Sequence, residues 1–140
     1  MIQGFLQTDP RLLPVVQKYG CALLDCCYLS AVDFQPSDVN EMFMELRQVG
    51  EVDDECTINS WMNVLESVSV HLQFKTIAPI DYVCLASERE ILKWYLSNVE
   101  EDHFTVGNGA GMTKWDSMNR PDIMRAYATF VSKVVVTYLA

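Results

Sequence analysis

The sequence predicts an α+β fold: a helical N-terminal half, with a central cysteine-bearing helix, packed on a small antiparallel sheet. Three observations carry this. "CALLDCCYLSAV" at 21–32 is apolar nearly all round, with Asp25 its only charge, which is the pattern of a helix in the middle of a core. Val68, Val70, Leu72 and Phe74 alternate with Ser69, His71, Gln73 and Lys75, the period of a half-buried strand. "HFTVG" and "MTKWD" flank the short loop "NGAG", which is the pattern of a hairpin.

The elements follow in order. "TDPRLLPVVQKYG" is a lead-in ending at Gly20, and the core helix starts directly after it. That helix stops before Pro36, because the residue ahead of a proline avoids the helical region. "PSDVNEMFMELRQVG" is a second helix, with Ser37 as N-cap, Asp38 and Glu41 in the first turn and Gly50 as the stop. "EVDDECTIN" is an acidic loop and "SWMNVLESV" a short third helix. After the alternating strand, "DYVCLA" reads as a short buried strand. "SEREILKWYLSN" reads as a helix, with Ser87 and Glu90 spaced as a capping box. Beyond Pro121 the pattern is ambiguous over 121–131, and "PDIMRAYATF" reads as beginning with a helical turn. "SKVVVTYLA" is β-branched and reads as the last strand.

Length, charge and thiols narrow the function classes. With 140 residues and no repeat, linker or low-complexity tract, residues 1–140 form one domain. A net charge of −9 with ten Lys and Arg has no footprint for nucleic acid or an anionic membrane, and would suit a basic partner instead. Five cysteines, two of them adjacent, do not make a disulfide framework, so a reducing cytoplasm is the expected compartment. No basic start precedes an apolar run, and none of the apolar runs approaches the roughly 20 residues that span a bilayer. No cofactor is expected. The two histidines are too far apart, and Cys26 and Cys27 too close, for a zinc pattern. "GNGAG" lacks the GK[ST] ending of a phosphate loop and reads as a turn.

The hairpin holds the chemistry. Symmetric pairing about its turn sets His103 opposite Asp116, Thr105 opposite Lys114, Phe104 opposite Trp115 and Val106 opposite Thr113. Opposed residues share a face, with Cβ atoms about 4.5–5.5 Å apart. An aspartate beside a histidine fixes its tautomer and supports its charged form, although a polar pair across strands is also what a solvated face carries. The group such a pair would activate is Cys21, at the start of the core helix, where the helix dipole favours a thiolate. Cys26 and Cys27 sit mid-helix and Cys84 in an apolar run. The neighbours of Cys56 are Asp53, Asp54 and Glu55, which oppose ionisation. His71 has no carboxylate predicted opposite it and ranks below His103.

With "YGCALLDCC", "DHFTVGNG" and "KWDSM" in that order, the chain resembles the papain-like cysteine peptidase fold. The resemblance is to its compact bacterial branch, which includes the bacteriocin-processing (double-glycine) peptidases. More closely still, the pattern resembles an uncharacterised family of short proteins in spirochaetes and phages. The resemblance implies Cys21 as nucleophile, His103 as general base and acid, Asp116 as the orienting residue, and a glutamine ahead of the cysteine as oxyanion donor. Gln17 is the nearest glutamine. It implies a cysteine-dependent peptidase or amidase acting on a peptide or amide. Two departures stand out. Asp25 replaces a small polar residue and sets an acid one turn from Cys21, and Ser117 follows Asp116 where proline is usual. They leave a second reading open: a catalytically inactive papain-like binding protein, phage-encoded, that inhibits a host protein through its acidic surface.

Overall fold

The computed structural model describes residue 2 and residues 4–30 and 32–139. Ala31, in the predicted core helix, and Ala140, at the end of the predicted last strand, lie outside the described residues. Helix α1 spans Pro14–Tyr19, so the lead-in contains a helix of its own. Pro14 occupies its first turn, where a fixed φ and a missing N–H do no harm. Gly20 alone joins α1 to α2, Cys21–Leu29. A Cβ at Gly20 would stand 2.5 Å from Val16 O, so the joint requires glycine. Cys21 through Cys27 are all buried, as an all-round apolar helix demands, and Asp25 is buried with them.

Helix α3 spans Pro36–Gln48. Its N-cap is Gln35 rather than the expected Ser37, because Pro36 already supplies the first helical position. Gln35 N donates to Asp38 Oδ2 (2.8 Å). Gly50, at φ +78°, lies just past the end of the helix in the left-handed region glycine favours. Helix α4, Trp61–Val68, is capped by Ser60, whose hydroxyl accepts from Asn63 N (3.2 Å).

The five strands are β1 (Leu72–Ala78), β2 (Glu88–Leu96), β3 (Glu101–Gly107), β4 (Thr113–Trp115) and β5 (Ala128–Tyr138). Helix α5, Pro121–Tyr127, precedes β5 and resolves the ambiguous stretch after Pro121. The strands form one antiparallel sheet in the order β1-β5-β2-β3-β4. Among the described residues the architecture is α+β, with five helices and five strands. Leu23, Leu24, Cys26 and Cys27 of α2 share one core with Val39, Phe43, Leu65, Ile91, Val134 and Val136.

Three expectations are corrected. The first strand starts at Leu72, not Val68, because α4 runs on to Val68, and Val70 is 84% exposed in the turn between them. His71 sits in that turn and donates from Nδ1 to Leu139 O (2.8 Å), away from the candidate site. "DYVCLA" is not a buried strand. Val83 and Leu85 are exposed, and its backbone bonds elsewhere: Leu85 N to Glu88 Oε1 and Cys84 N to Gly109 O.

The third correction is the largest. "SEREILKWYLSN" forms β2, at the centre of the sheet, and not a helix. Its Glu, Arg, Leu and Lys favour helix locally. The strand wins because Ile91 and Leu92 are fully buried between β5 and β3, and because Glu90 has a distant partner. Lys133 of β5, fully buried, donates from Nζ to Glu90 Oε1 (2.8 Å). The other oxygen of Glu90 accepts from Gly109 N (3.0 Å) and Gly111 N (2.9 Å). The glycine-rich turn is therefore a nest for an anion, and the anion is the chain's own carboxylate. A Cβ on Gly107 would stand 2.2 Å from Glu90 Oε2, so the turn cannot close over the carboxylate without glycine there.

Candidate active site

Cys21 is the first residue of α2, at the end that gathers unpaired backbone N–H groups. It is 7% exposed and lines a cavity of about 690 Å³. His103 and Asp116 line the same cavity. The two meet directly: His103 Nε2 and Asp116 Oδ1 are 2.8 Å apart. Because the carboxylate only accepts, Nε2 carries the proton and donates it. Nδ1 is left as the ring nitrogen free to act on the Cys21 thiol, which lines the same cavity and helps to hold His103 in its charged form.

The sequence pairs these residues correctly by a register that the hairpin does not adopt. Val106 pairs with Trp115 and Gly107 with Thr113, with an irregularity between them. Thr105 and Thr113, expected on opposite faces, share a hydroxyl–hydroxyl hydrogen bond (3.0 Å). Strand β4 ends at Trp115, so Asp116 lies past the paired region and reaches His103 from the following turn. That turn is held firmly. Asp116 Oδ1 also accepts from Met118 N (3.0 Å), and Trp115 stacks on Tyr28 of α2, with ring centroids 4.6 Å apart. Phe104 packs near Trp61, and both Phe104 and Trp115 back onto the core. Thus the helix bearing Cys21 and the turn bearing Asp116 are tied by an aromatic stack.

The electrostatics follow from this geometry. Burial opposes a charged His103, but Asp116, hydrogen-bonded to it, and the nearby Cys21 outweigh it and raise its pKa to about 10. Burial would raise Asp116, yet the His103 hydrogen bond and charge and the backbone N–H of Met118 hold it below the ordinary carboxylate range. The other four thiols are pushed up. Burial and a neighbouring thiol and carboxylate raise Cys26. Burial takes Cys27 and Cys56 to about 12, and burial beside Glu90 takes Cys84 to about 11. Cys56 thus fits the expectation that it is a poor nucleophile, but burial outranks its acidic neighbours as the cause.

Gln17 is not among the residues lining the cavity. Its Nε2 donates to Leu12 O (2.8 Å), turned back along α1. Gln7 lines the cavity instead. Gln7 is 2% exposed and fixed at both ends: Nε2 donates to Gln17 O (3.1 Å), and Oε1 accepts from Ser117 Oγ (2.7 Å). Only a nitrogen can face the Gln17 carbonyl, so the amide orientation is settled by its partners. Ser117 O also accepts from Gln7 N (2.9 Å). The serine that stands where proline was expected is therefore what ties the N-terminal segment to the turn bearing Asp116. Gln7 lies fourteen residues ahead of Cys21 in an irregular stretch, and no periodicity or spacing in the sequence marks it.

Lys18, Tyr19, Trp61, Lys93, Val99 and Arg120 also line the cavity, a mixed apolar and charged wall. Among the described residues, no group of three or more His, Cys, Asp and Glu side chains could hold a metal ion, and no helix is long and apolar enough to cross a membrane. One protein family, described as "Protein of unknown function, DUF261", matches residues 1–136. No curated protein and no solved structure matches the chain.

Proposed function

The chain belongs to this DUF261 family, and for it we propose a cysteine-dependent hydrolase of peptide or amide bonds, built on a papain-like arrangement. The observation that carries the proposal is the convergence of Cys21, His103 and Asp116 in one cavity, with the His103–Asp116 hydrogen bond formed. The proposed chemistry is acyl transfer. Cys21 gives its proton to His103 Nδ1, and the thiolate attacks the carbonyl carbon. The oxyanion is held by the Cys21 backbone N–H and by the Gln7 amide hydrogen not used on Gln17 O. His103 returns its proton to the leaving amine, and a C–N bond breaks as the thioester forms. Water, deprotonated by His103, then cleaves the thioester and restores the thiol. Asp116 orients the imidazole throughout and does not itself accept the proton.

The test is thiol alkylation of the folded protein. Iodoacetamide at pH 7 should label Cys21 at least tenfold faster than Cys26, Cys27, Cys56 and Cys84, and His103→Ala should remove that advantage. Equal, slow labelling of all five thiols would overturn the proposal. A second reading, a binding protein that uses the same scaffold without catalysis, rests on the net charge of −9 and the acidic loop at 51–56. A biological effect unchanged by Cys21→Ala would favour it.

A further inference from the structure

Asp25 is a buried acid that the proposed chemistry does not use. It is 0% exposed, and neither carboxyl oxygen has a hydrogen-bond partner among the described residues. It lies four residues after Cys21 on α2, one turn further along the same face. The charges that act on it come from two elements: Cys21 on its own helix and Asp116 in the turn after β4. Cys26 and Cys27 lie next to it on α2 and feel its charge in turn. The other elements packed on α2 bring mainly apolar groups to the core: Val39 and Phe43 from α3, Val64 and Leu65 from α4, and Ile91 from β2. The ionisable groups of the neighbouring strands are already engaged, Glu90 with Lys133 and His103 with Asp116.

A carboxylate with no donor, in a dry interior and near other acids, keeps its proton. Burial, Cys21 and Asp116 all raise Asp25 well above the ordinary carboxylate range. The sequence alone suggests that Asp25 opposes a Cys21 thiolate; burial reverses that, because a neutral acid opposes nothing. We propose that Cys21 and Asp25 are a coupled acid pair carrying at most one negative charge, which His103 draws onto Cys21 while Asp25 holds the remaining proton. Asp25 is then a positioning residue that sets the upper pH limit of the site. As pH rises and His103 loses its charge, the two acids compete for one proton, and part of the Cys21 population returns to the thiol. The inference deepens the proposed function and rests on it for the role of Cys21.

The experiment combines infrared spectroscopy with alkylation. At pH 7 the wild-type protein should show the carbonyl band of a protonated, buried carboxylic acid, and Asp25→Asn should lack it. In Cys21→Ser, which has no thiolate, that band should vanish at a pH at least one unit lower than in wild type. Iodoacetamide labelling of Cys21 in Asp25→Asn should match wild type within about twofold at pH 7, then exceed it severalfold as pH rises beyond the range where the wild-type band is lost. Absence of the band at pH 7, or a tenfold gain in labelling of Asp25→Asn at pH 7, would mean that Asp25 is ionised at rest and would overturn the pair. The Cys21→Ser comparison needs no variant of Asp25, so a misfolded Asp25→Asn leaves the proposal testable. The band is read without any catalysis. A wild-type protein with the band but with no fast Cys21 labelling would therefore sink the hydrolase while leaving the buried acid standing.

Discussion

Lys133→Met tests what holds the hairpin over the sheet. Lys133 and Glu90 are both 0% exposed, and Lys133 is the cation paired with Glu90. Among the described residues, removing it leaves a buried carboxylate with only the N–H groups of Gly109 and Gly111 and the Cys84 thiol for support. Breaking one side of a buried pair costs about 3–5 kcal/mol. With an unfolding entropy of about 2.1 cal/mol/K per residue, a chain of 140 residues should lose roughly 10–17 °C in Tm. Thermal and urea unfolding followed by circular dichroism give the number. Lys133→Met combined with Glu90→Gln should recover at least half of the loss, because the neutral amide still accepts from the glycine turn while the uncompensated charge is gone. A single variant that loses less than about 1 kcal/mol, or a double variant no better than the single, would show that this pair does not hold the turn. The consequence reaches the site, because the same turn leads from His103 on β3 to Asp116 after β4.

Gly107→Ala should destabilise the fold by about 1–3 kcal/mol, since its Cβ would stand 2.2 Å from Glu90 Oε2; an unchanged urea midpoint would refute the close approach. Asp116→Asn keeps the shape but removes the charge beside His103, and should slow iodoacetamide labelling of Cys21 at pH 7 by about tenfold or more; unchanged labelling would remove Asp116 from the site. Gln7→Ala should weaken inhibition by a peptide aldehyde, whose adduct bears an oxyanion, by about tenfold or more, while leaving alkylation, which forms none, unaffected. Gln17→Ala should do neither, and the reverse pattern would return the oxyanion role to Gln17. Stability should depend on pH from both sides. His103, raised from 6.5 to about 10, contributes stability that is full below 6.5 and lost as pH rises through about 10. Asp25, also raised, loses stability in the same direction. Asp116, lowered from 3.8, contributes stability that is present above 3.8 and lost as pH falls. Because the Asp25 contribution starts to be lost as pH rises above 3.8 and that of His103 above 6.5, the urea midpoint should be highest near 3.8 and fall above it, and a midpoint that climbs toward pH 10 would contradict this.

The candidate site was legible where chemistry and local pattern coincide. Cys21 follows a glycine and opens an apolar helix, and His103 and Asp116 flank a turn. Those three positions can be found without knowing how the strands pair. The expected register was displaced, yet His103 and Asp116 still meet, because a slip of two residues at that end keeps both on one face and a side chain at the free end of a short strand can reach across it. Gln7 was not legible. It reaches the cavity only because Ser117, 110 residues later, and the Gln17 carbonyl hold it there.

The α+β order, the buried helix of Cys21–Leu29 and the three side chains of the site follow from the sequence itself, because apolar periodicity and turn chemistry act over a few residues. The strand state of Glu88–Leu96, the anion nest in the glycine turn, the place of Gln7 and the charge of Asp25 were decided only by tertiary structure. Each depends on a group far away in the chain. Lys133 makes a buried glutamate tolerable in a central strand, and the walls of the core make a partnerless aspartate keep its proton. Burial and long-range pairing set those energies, and neither is written in the residues nearby.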